Sequence, residues 1–186
     1  MFTRLAISDV ILVEPKRFGD HRGFFQETFH ADRYEEGGIA GPFVQDNHSL
    51  SREQGVLRGL HFQIAPSPQG KLVRCTAGRI LDVAVDIRKG SPTFGQHVSA
   101  ELSAENGAQL WVPVGFAHGF VTLEPDTEVQ YKVTGYYDPN ADCGLAWDDP
   151  ALGIDWGLGE AAPVLSDKDT KHPTLADLPE HFQYES

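Results

Sequence analysis

The stretch Arg79-Ile80-Leu81-Asp82-Val83-Ala84-Val85-Asp86-Ile87 decides the fold. Leu81, Val83, Val85 and Ile87 fall on one side of an extended chain, and Ile80, Asp82, Ala84 and Asp86 on the other. That is the period-two pattern of a strand with one buried face. Working outward, Ala77-Gly78 marks a connection back to a second strand at Lys71–Arg74. Further strand-like runs follow one another: Ala6–Val13, Arg22–Phe29, Val56–Gln63, Gln96–Leu102, Gln109–Val114, Val121 and Thr127–Thr134. Asn106-Gly107, between two of them, is the strongest short hairpin signal in the chain. Helical signals are weak: a turn or two at Ala31–Glu36, and a short C-terminal helix at Thr174–Leu178 with Thr174 as its cap. Asp148–Lys171, rich in Pro, Gly and Asp, reads as ordered loop. Many short strands punctuated by turns predict an all-β double-sheet jelly roll with short peripheral helices.

The chain has 186 residues, 40% of them hydrophobic, which suits one domain spanning 1–186 with a sizeable core. Asp and Glu number 27 against 15 Lys and Arg, a formal net charge of −12. That field repels polyanions, so nucleic acid is not expected as a partner, whereas one small anion in a locally basic pocket is compatible with it. No apolar run has the length of a membrane span, and Met1–Val10 shows no secretory pattern. Cys75 and Cys143 are far apart and form no CxxC pair, which argues against a disulfide framework or a Cys-rich zinc site. A soluble, reducing, cytoplasmic setting is the expectation.

Three segments combine polar residues with strand-like context: Gln45–Ser49, Leu57–Gln63 and Trp111–Phe120. In the second, Leu57, Gly59, His61 and Gln63 share one face and Arg58, Leu60 and Phe62 the other, unless a bulge at Gly59 re-aims them. Alone, His61 reads as a satisfied, partly buried histidine. The third segment alters that reading. Gly107-x5-Pro113-x-Gly115-x2-His118 resembles the second motif of the cupin jelly rolls, with Thr122 where Asn is common, and Gly55-x5-His61 fits the first. Gln63 then stands where a second metal-binding His would be, and Lys71 where a Glu would be. An ammonium there repels a divalent cation, and His61 and His118 are too few donors. No metal and no cofactor are expected, and Lys71 reads as a fixed positive charge in the metal's stead.

Phe18-Gly19-Asp20-x-Arg22-Gly23-Phe24-Phe25-x-Glu27 resembles the opening signature of the dTDP-4-dehydrorhamnose 3,5-epimerases. So do Phe43–Ser49, Leu57–Gln63, Gln130-Tyr131-Lys132 and Ser166-Asp167-Lys168-Asp169, in the family's order over most of the chain. The resemblance implies inversion at C3 and C5 of a 4-keto-6-deoxyhexose carried on dTDP. Both carbons lie α to the C4 ketone, so the chemistry needs a base, a proton donor on the opposite face, and positive charge near O4. On the family pattern His61 is the base, paired with Asp169, with neighbouring Asp167 the competing partner. Tyr131 is the acid, although it equally fits a structural aromatic. Lys71 serves the enolate oxygen.

Arg22, Glu27, Gln45, Asn47, Arg58, His118 and Lys168 are implied to contact nucleotide, pyrophosphate or sugar, and Asp142 matches an acidic binding position. Read without the family, Arg22 and Glu27 fit a surface ion pair and Asn47 a turn. Trp111, Trp147, Trp156, Phe116 and Phe120 fit core or interface better than a thymine platform. A homodimer is implied as well. The competing readings are a C3-only epimerase, a non-catalytic nucleotide-sugar-binding cupin, and a metal-dependent cupin oxygenase, which Gln63 and Lys71 disfavour.

Overall fold

The structure, a computed structural model, describes residues 1–185. The strands are β1 (Phe2–Arg4), β2 (Ile11–Val13), β3 (Arg17–Asp20), β4 (Gly23–Gln26), β5 (Gln45–Ser51), β6 (Leu57–Gln63), β7 (Lys71–Ala77) and β8 (Arg79–Asp86). They continue as β9 (Arg88–Lys89), β10 (His97–Ser103), β11 (Gln109–Val112), β12 (Phe116–Thr122), β13 (Thr127–Val133), β14 (Asp142–Gly144) and β15 (Phe182–Gln183). One helix, α1 (Ala31–Glu36), and a 3-10 turn at Asp169–Lys171 complete the elements.

Two antiparallel sheets face each other, in the order β1-β2-β11-β7-β13-β5 and β10-β8-β12-β6-β14. Between them lies a core to which Val73, Cys75, Leu110 and Val129 come from the first sheet and Ile80, Ala84, Leu102 and Phe120 from the second. This is the expected all-β, cupin-type jelly roll. The outer face of the second sheet is also covered. Leu57, Leu60, Phe62, Val83, Val85 and Ile87 pack there beneath Leu145, Leu152 and Trp156 of the C-terminal segment.

That cover corrects the reading of the deciding strand. Asp82 and Asp86 have no exposure, so β8 is buried on both faces. The polar side of the alternation points not to water but to interior partners. Asp82 meets His118, and Asp86 meets Arg88, Ser91 and Thr93.

Other sequence expectations shift for local reasons. Ala6–Val13 is not one strand: the chain turns between β1 and β2, closed by Val10 N–H to Ile7 O and Leu5 N–H to Val10 O. Arg22–Phe29 narrows to β4, in a hairpin with β3 whose Phe18, Phe24 and Phe25 are exposed. Asn106-Gly107 makes a turn but no hairpin ladder, because β10 and β11 belong to different sheets. The Asn106 carboxamide accepts from the Ser103 and Ala108 amides, and Gly107 takes a φ of 61°, handing the chain from one sheet to the other. Thr174–Leu178 forms a single turn, with Thr174 Oγ1 donating to Asp177, and no helix.

The feature that positions the site is a bulge in β6. His61 pairs with His118 and Arg58 with Phe120, so three steps along β6 match two along β12. The extra residue puts Arg58 and His61 on the inner side, while Leu57, Leu60 and Phe62 all reach the outer apolar layer. Gly59 sits there at φ 138°, and a Cβ on it would lie 2.5 Å from Gly119 Cα. Gly59→Ala is therefore expected to destabilise the protein by roughly 2–4 kcal/mol, combining backbone strain with overpacking. A urea unfolding midpoint unchanged from the parent at equal m would show that the β6–β12 contact is not constrained in this way.

Candidate active site

Two adjoining cavities open on the inner face of β6. One, of about 410 Å3, is lined by Ser49, Arg58, His61, Lys71, His118, Phe120, Tyr131, Ser166 and Asp169, among others. The other, of about 240 Å3, is lined by Gln45, Asn47, His61, Gln63, Lys71, Tyr131, Tyr137, Asp142 and Lys168, among others. His61, Lys71 and Tyr131 belong to both, so these three side chains form the shared wall of one cleft.

His61 is 30% exposed, and its Nε2–H donates to Asp169 Oδ1 at 2.6 Å. That bond orients the ring and, in the neutral imidazole, sets the tautomer with the free lone pair on Nδ1. Asp169 is 4% exposed, and its other oxygen accepts from Ser166 Oγ at 2.7 Å. Burial pushes the Asp169 carboxyl up, but the bonds from His61 and Ser166 and the nearby imidazoles outweigh it and hold the group below the usual carboxylate range. Asp167 is exposed and lines neither cavity, so the histidine's partner is Asp169.

Lys71 opens β7 and is 9% exposed. Its ammonium donates to His61 O at 3.2 Å. Burial drives its pKa down to about 8, the Asp142 and Asp82 carboxylates opposing and Lys168 reinforcing the shift. Tyr131, on β13, packs against the inter-sheet core, and burial raises its phenol against the pull of the Arg58 guanidinium.

His118 lies directly across from His61 in the β6–β12 register, and its Nε2 bonds the buried Asp82 Oδ1 at 2.8 Å. Burial lowers its pKa, the Asp82 carboxylate opposing and the Lys71 and His61 charges adding.

Around this wall the polar residues are held in place. Gln45 donates to Asn47 Oδ1 at 2.8 Å and accepts the Tyr137 amide at 3.1 Å. Asp142 accepts from the Tyr137 hydroxyl at 3.0 Å and pairs with Lys168. Arg58 rests on Ser51 Oγ and Leu50 O. Thus ten of the expected residues line the cleft. Arg22 and Glu27 do not: Arg22 pairs with Asp20 on the β3–β4 hairpin, and Glu27 with Arg33. Both make the surface ion pairs that a family-free reading gives them. Trp111, Trp156 and Phe116 are buried in core clusters, and only Phe120 of the candidate aromatics lines the cleft.

Sequence reasoning missed Asp82, Ser166, Tyr137 and His172. Asp82 is signalled as the polar member of an alternating strand, and Ser166 by its place in Ser166-Asp167-Lys168-Asp169. Tyr137 and His172 carry no local signal. His172 packs edge-on to His61, with ring centroids 5.5 Å apart.

The positions where cupins place metal ligands do not fit a metal here. Gln63 donates to Ser67 O and Tyr136 O and accepts the Asp138 amide, and Lys71 presents an ammonium.

A family model described as dTDP-4-dehydrorhamnose 3,5-epimerase matches residues 4–177. The curated epimerase of that name from Sinorhizobium fredii is 56% identical over 183 residues, covering 98% of this chain and 93% of its own. A dTDP-6-deoxy-D-glucose-3,5-epimerase from Legionella pneumophila, solved in complex with dTDP-4-keto-L-rhamnose, superposes with a TM-score of 0.95. Its identity is 48%, and the match covers 100% of this chain and 99% of that one. A 3'-monoepimerase from Streptomyces bikiniensis superposes at 0.86 with 35% identity, covering 92% and 86%.

The buried ammonium generates a pH prediction. Lys71 titrates near 8 folded and near 10.5 unfolded, so between those values the unfolded chain binds more protons and stability rises with pH. At pH 7 the charge costs on the order of 3 kcal/mol of stability. Lys71→Met is expected to unfold at higher denaturant than the parent at pH 7, with the gap closing towards pH 10.5. Turnover by the parent is expected to fall as pH rises through about 8. A gap independent of pH would show that folding leaves the Lys71 pKa unshifted.

Proposed function

The chain belongs to the dTDP-4-dehydrorhamnose 3,5-epimerase family, and from that premise we propose that it inverts C3 and C5 of dTDP-4-dehydro-6-deoxy-D-glucose, giving dTDP-4-dehydro-L-rhamnose. The observation that carries this reading is the shared wall of the cleft, where a dyad-held imidazole, a phenol and a buried ammonium meet. Its place is the dTDP-L-rhamnose pathway, in keeping with the names its relatives carry.

His61 takes the proton from the carbon next to the ketone. Asp169 holds the imidazole in one tautomer and stabilises the imidazolium that results. The enolate charge collects on O4, and the Lys71 ammonium, with His118 beside it, lies where a fixed cation offsets that charge. Returning the proton to the same face gives back the substrate. Tyr131, on the opposing sheet, donates from the other face, and the Arg58 cation eases its loss of the proton. Water restores both groups, and the second carbon repeats the cycle.

Arg58 and Lys168 meet the diphosphate's charge, while Gln45, Asn47 and Asp142 hold sugar and nucleotide polar groups. Local cations thus let a chain of net charge −12 bind a dianion.

The chain acts as one domain and pairs as a homodimer. The exposed Phe18, Phe24 and Phe25 of the β3–β4 hairpin favour this, since a lone chain leaves them in water. So do Arg22 and Glu27, which the pairing would carry to the partner's cleft. Cys75 and Cys143 are both free, in keeping with a cytoplasmic location, and among the described residues no helix is long and apolar enough to cross a membrane.

The similarity to a 3'-monoepimerase supports a second reading, inversion at C3 alone. Incubation with the 4-keto-6-deoxyglucose nucleotide in D2O, read by mass spectrometry, separates the two. Solvent deuterium is expected at both C3 and C5. Label at C3 alone selects the second reading, and no label with tight binding selects a non-catalytic cupin. His61→Ala is expected to slow exchange at both carbons by about 10^2–10^4-fold while leaving dTDP affinity largely intact. Tyr131→Phe is expected to lose epimerised product more than exchange. Equal product yield from that variant would remove Tyr131 as the donor.

A further inference from the structure

The Asp169 carboxylate touches a second imidazole that the proposed chemistry does not use. His172 Nε2 lies 3.7 Å from Asp169 Oδ1, beyond hydrogen-bond reach. That nitrogen is buried and has no hydrogen-bond partner, although the side chain is only 8% exposed. The ring lies flush against Gly144, where a Cβ would fall 2.3 Å from its atoms. One donor atom each from His61, Asp169 and His172 lies within 4.8 Å of the other two.

We propose that His61, Asp169 and His172 form a binding site for a zinc-type divalent cation, and that its occupation switches off the base. The donor set is two imidazoles and a carboxylate, the mixture that zinc favours, with the cleft supplying water as a fourth ligand. Zn2+ holds such donors at about 2.0–2.2 Å, which sets them about 3.3 Å apart in a tetrahedron. The observed separations, 2.6 Å from His61 to Asp169 and 3.7 Å from His172 to Asp169, bracket that value.

Ser166 already orients the carboxylate through its other oxygen, as partners of metal ligands do. The cation enters past His61, the most accessible of the three. Of the fixed charges nearby, Lys168 and Asp142 are paired with each other, and the Lys71 ammonium is held on the His61 carbonyl rather than at the ring nitrogens.

Inhibition follows from proton bookkeeping. A metal on His61 Nε2 displaces the proton that Nε2 shares with Asp169, and the neutral imidazole then carries it on Nδ1. The lone pair that would take the substrate proton is thereby occupied. This consequence rests on the role of His61 given above, whereas the site itself does not.

The test uses the full-length, metal-stripped protein titrated with Co2+ and then Zn2+. Uptake of one Co2+ per chain is expected, with the visible absorption of a four-coordinate nitrogen–oxygen site, displaced by Zn2+ and released by EDTA. In the unmodified chain the ring NMR signals of His61 and His172 are expected to broaden first. His172→Phe, which keeps a flat ring in the slot, is expected to bind Co2+ at least roughly tenfold more weakly, and His172→Gln likewise. Turnover, normalised to each variant's own metal-free rate, is expected to fall in step with occupancy in the parent.

No uptake at millimolar Co2+, equal affinity in both variants, or broadening of other histidines first overturns the site. A full rate at full occupancy overturns the switch. Metal-free protein that binds Co2+ here yet turns nothing over counts against the epimerase reading and leaves the site standing.

Discussion

One hydrogen bond, from His61 Nε2–H to Asp169 Oδ1, ties together parts of the chain separated by 108 residues. The C-terminal segment covers the second sheet by apolar contact through Leu152, Trp156 and Leu175. Its register is set by backbone bonds of Val164 with Gly55 and Leu57, and five residues on by this side-chain bond, which with them places Ser166 and Asp169 at the rim of the cleft and His172 behind the base. In turn, the bond requires His61 to face inward, which the β6 bulge at Gly59 arranges. A strict two-residue alternation would also turn Gly59 and Leu57 to that side. The bulge separates them, so that Arg58 and His61 share the cleft while Leu57, Leu60 and Phe62 stay in the outer layer.

The second constraint is charge. Three cationic side chains and two imidazoles line a cleft in a chain whose formal charge is −12. Lys71, the buried one of the three cations, is answered by carboxylates at some distance rather than by a direct contact. Asp142 and Asp82 both support the Lys71 charge, but Lys71 bonds only the His61 carbonyl. A direct ion pair would neutralise the ammonium before an enolate oxygen could use it. Leaving it unpaired keeps it free for an incoming anion and lowers its pKa, so the stability cost and the chemical use have one cause.

Much of this was legible in the sequence because strands announce themselves by period and glycines by turns. β6, β7, β8, β10 and β13 lie close to where alternation places them. Sheet membership was not legible. Asn106-Gly107 signals a turn, yet nothing local says whether the strands it joins pair with each other or cross between layers. Nor could the alternation in β8 say that its aspartates face a polar interior, because the partner, His118, lies 36 positions away. Tyr137 and His172 enter the site only through long-range contacts, so no window of sequence contains their reason for being there. Arg22 and Glu27 mark the opposite limit: a family string placed them at the substrate, while the folded chain alone puts them on its surface.

The cupin framework explains why an ammonium, rather than a metal, stands at the heart of the cleft. A metal centre there would need converging neutral or anionic donors from β6, β7 and β12. This chain has spent each of those positions elsewhere. Gln63 is bound at both ends to the Ser67 and Tyr136–Asp138 loops, His118 is committed to Asp82, and Lys71 carries the opposite charge. Replacing Lys71 by an acid would not restore the centre, because Gln63 would still hold two loops and His118 its carboxylate. The consequence is a cation that titrates. A metal keeps its charge across the whole working range, but the charge on Lys71 persists only while the pH stays below the value that its own burial sets. The depth of the pocket and the upper pH limit of the chemistry are therefore one property of the fold.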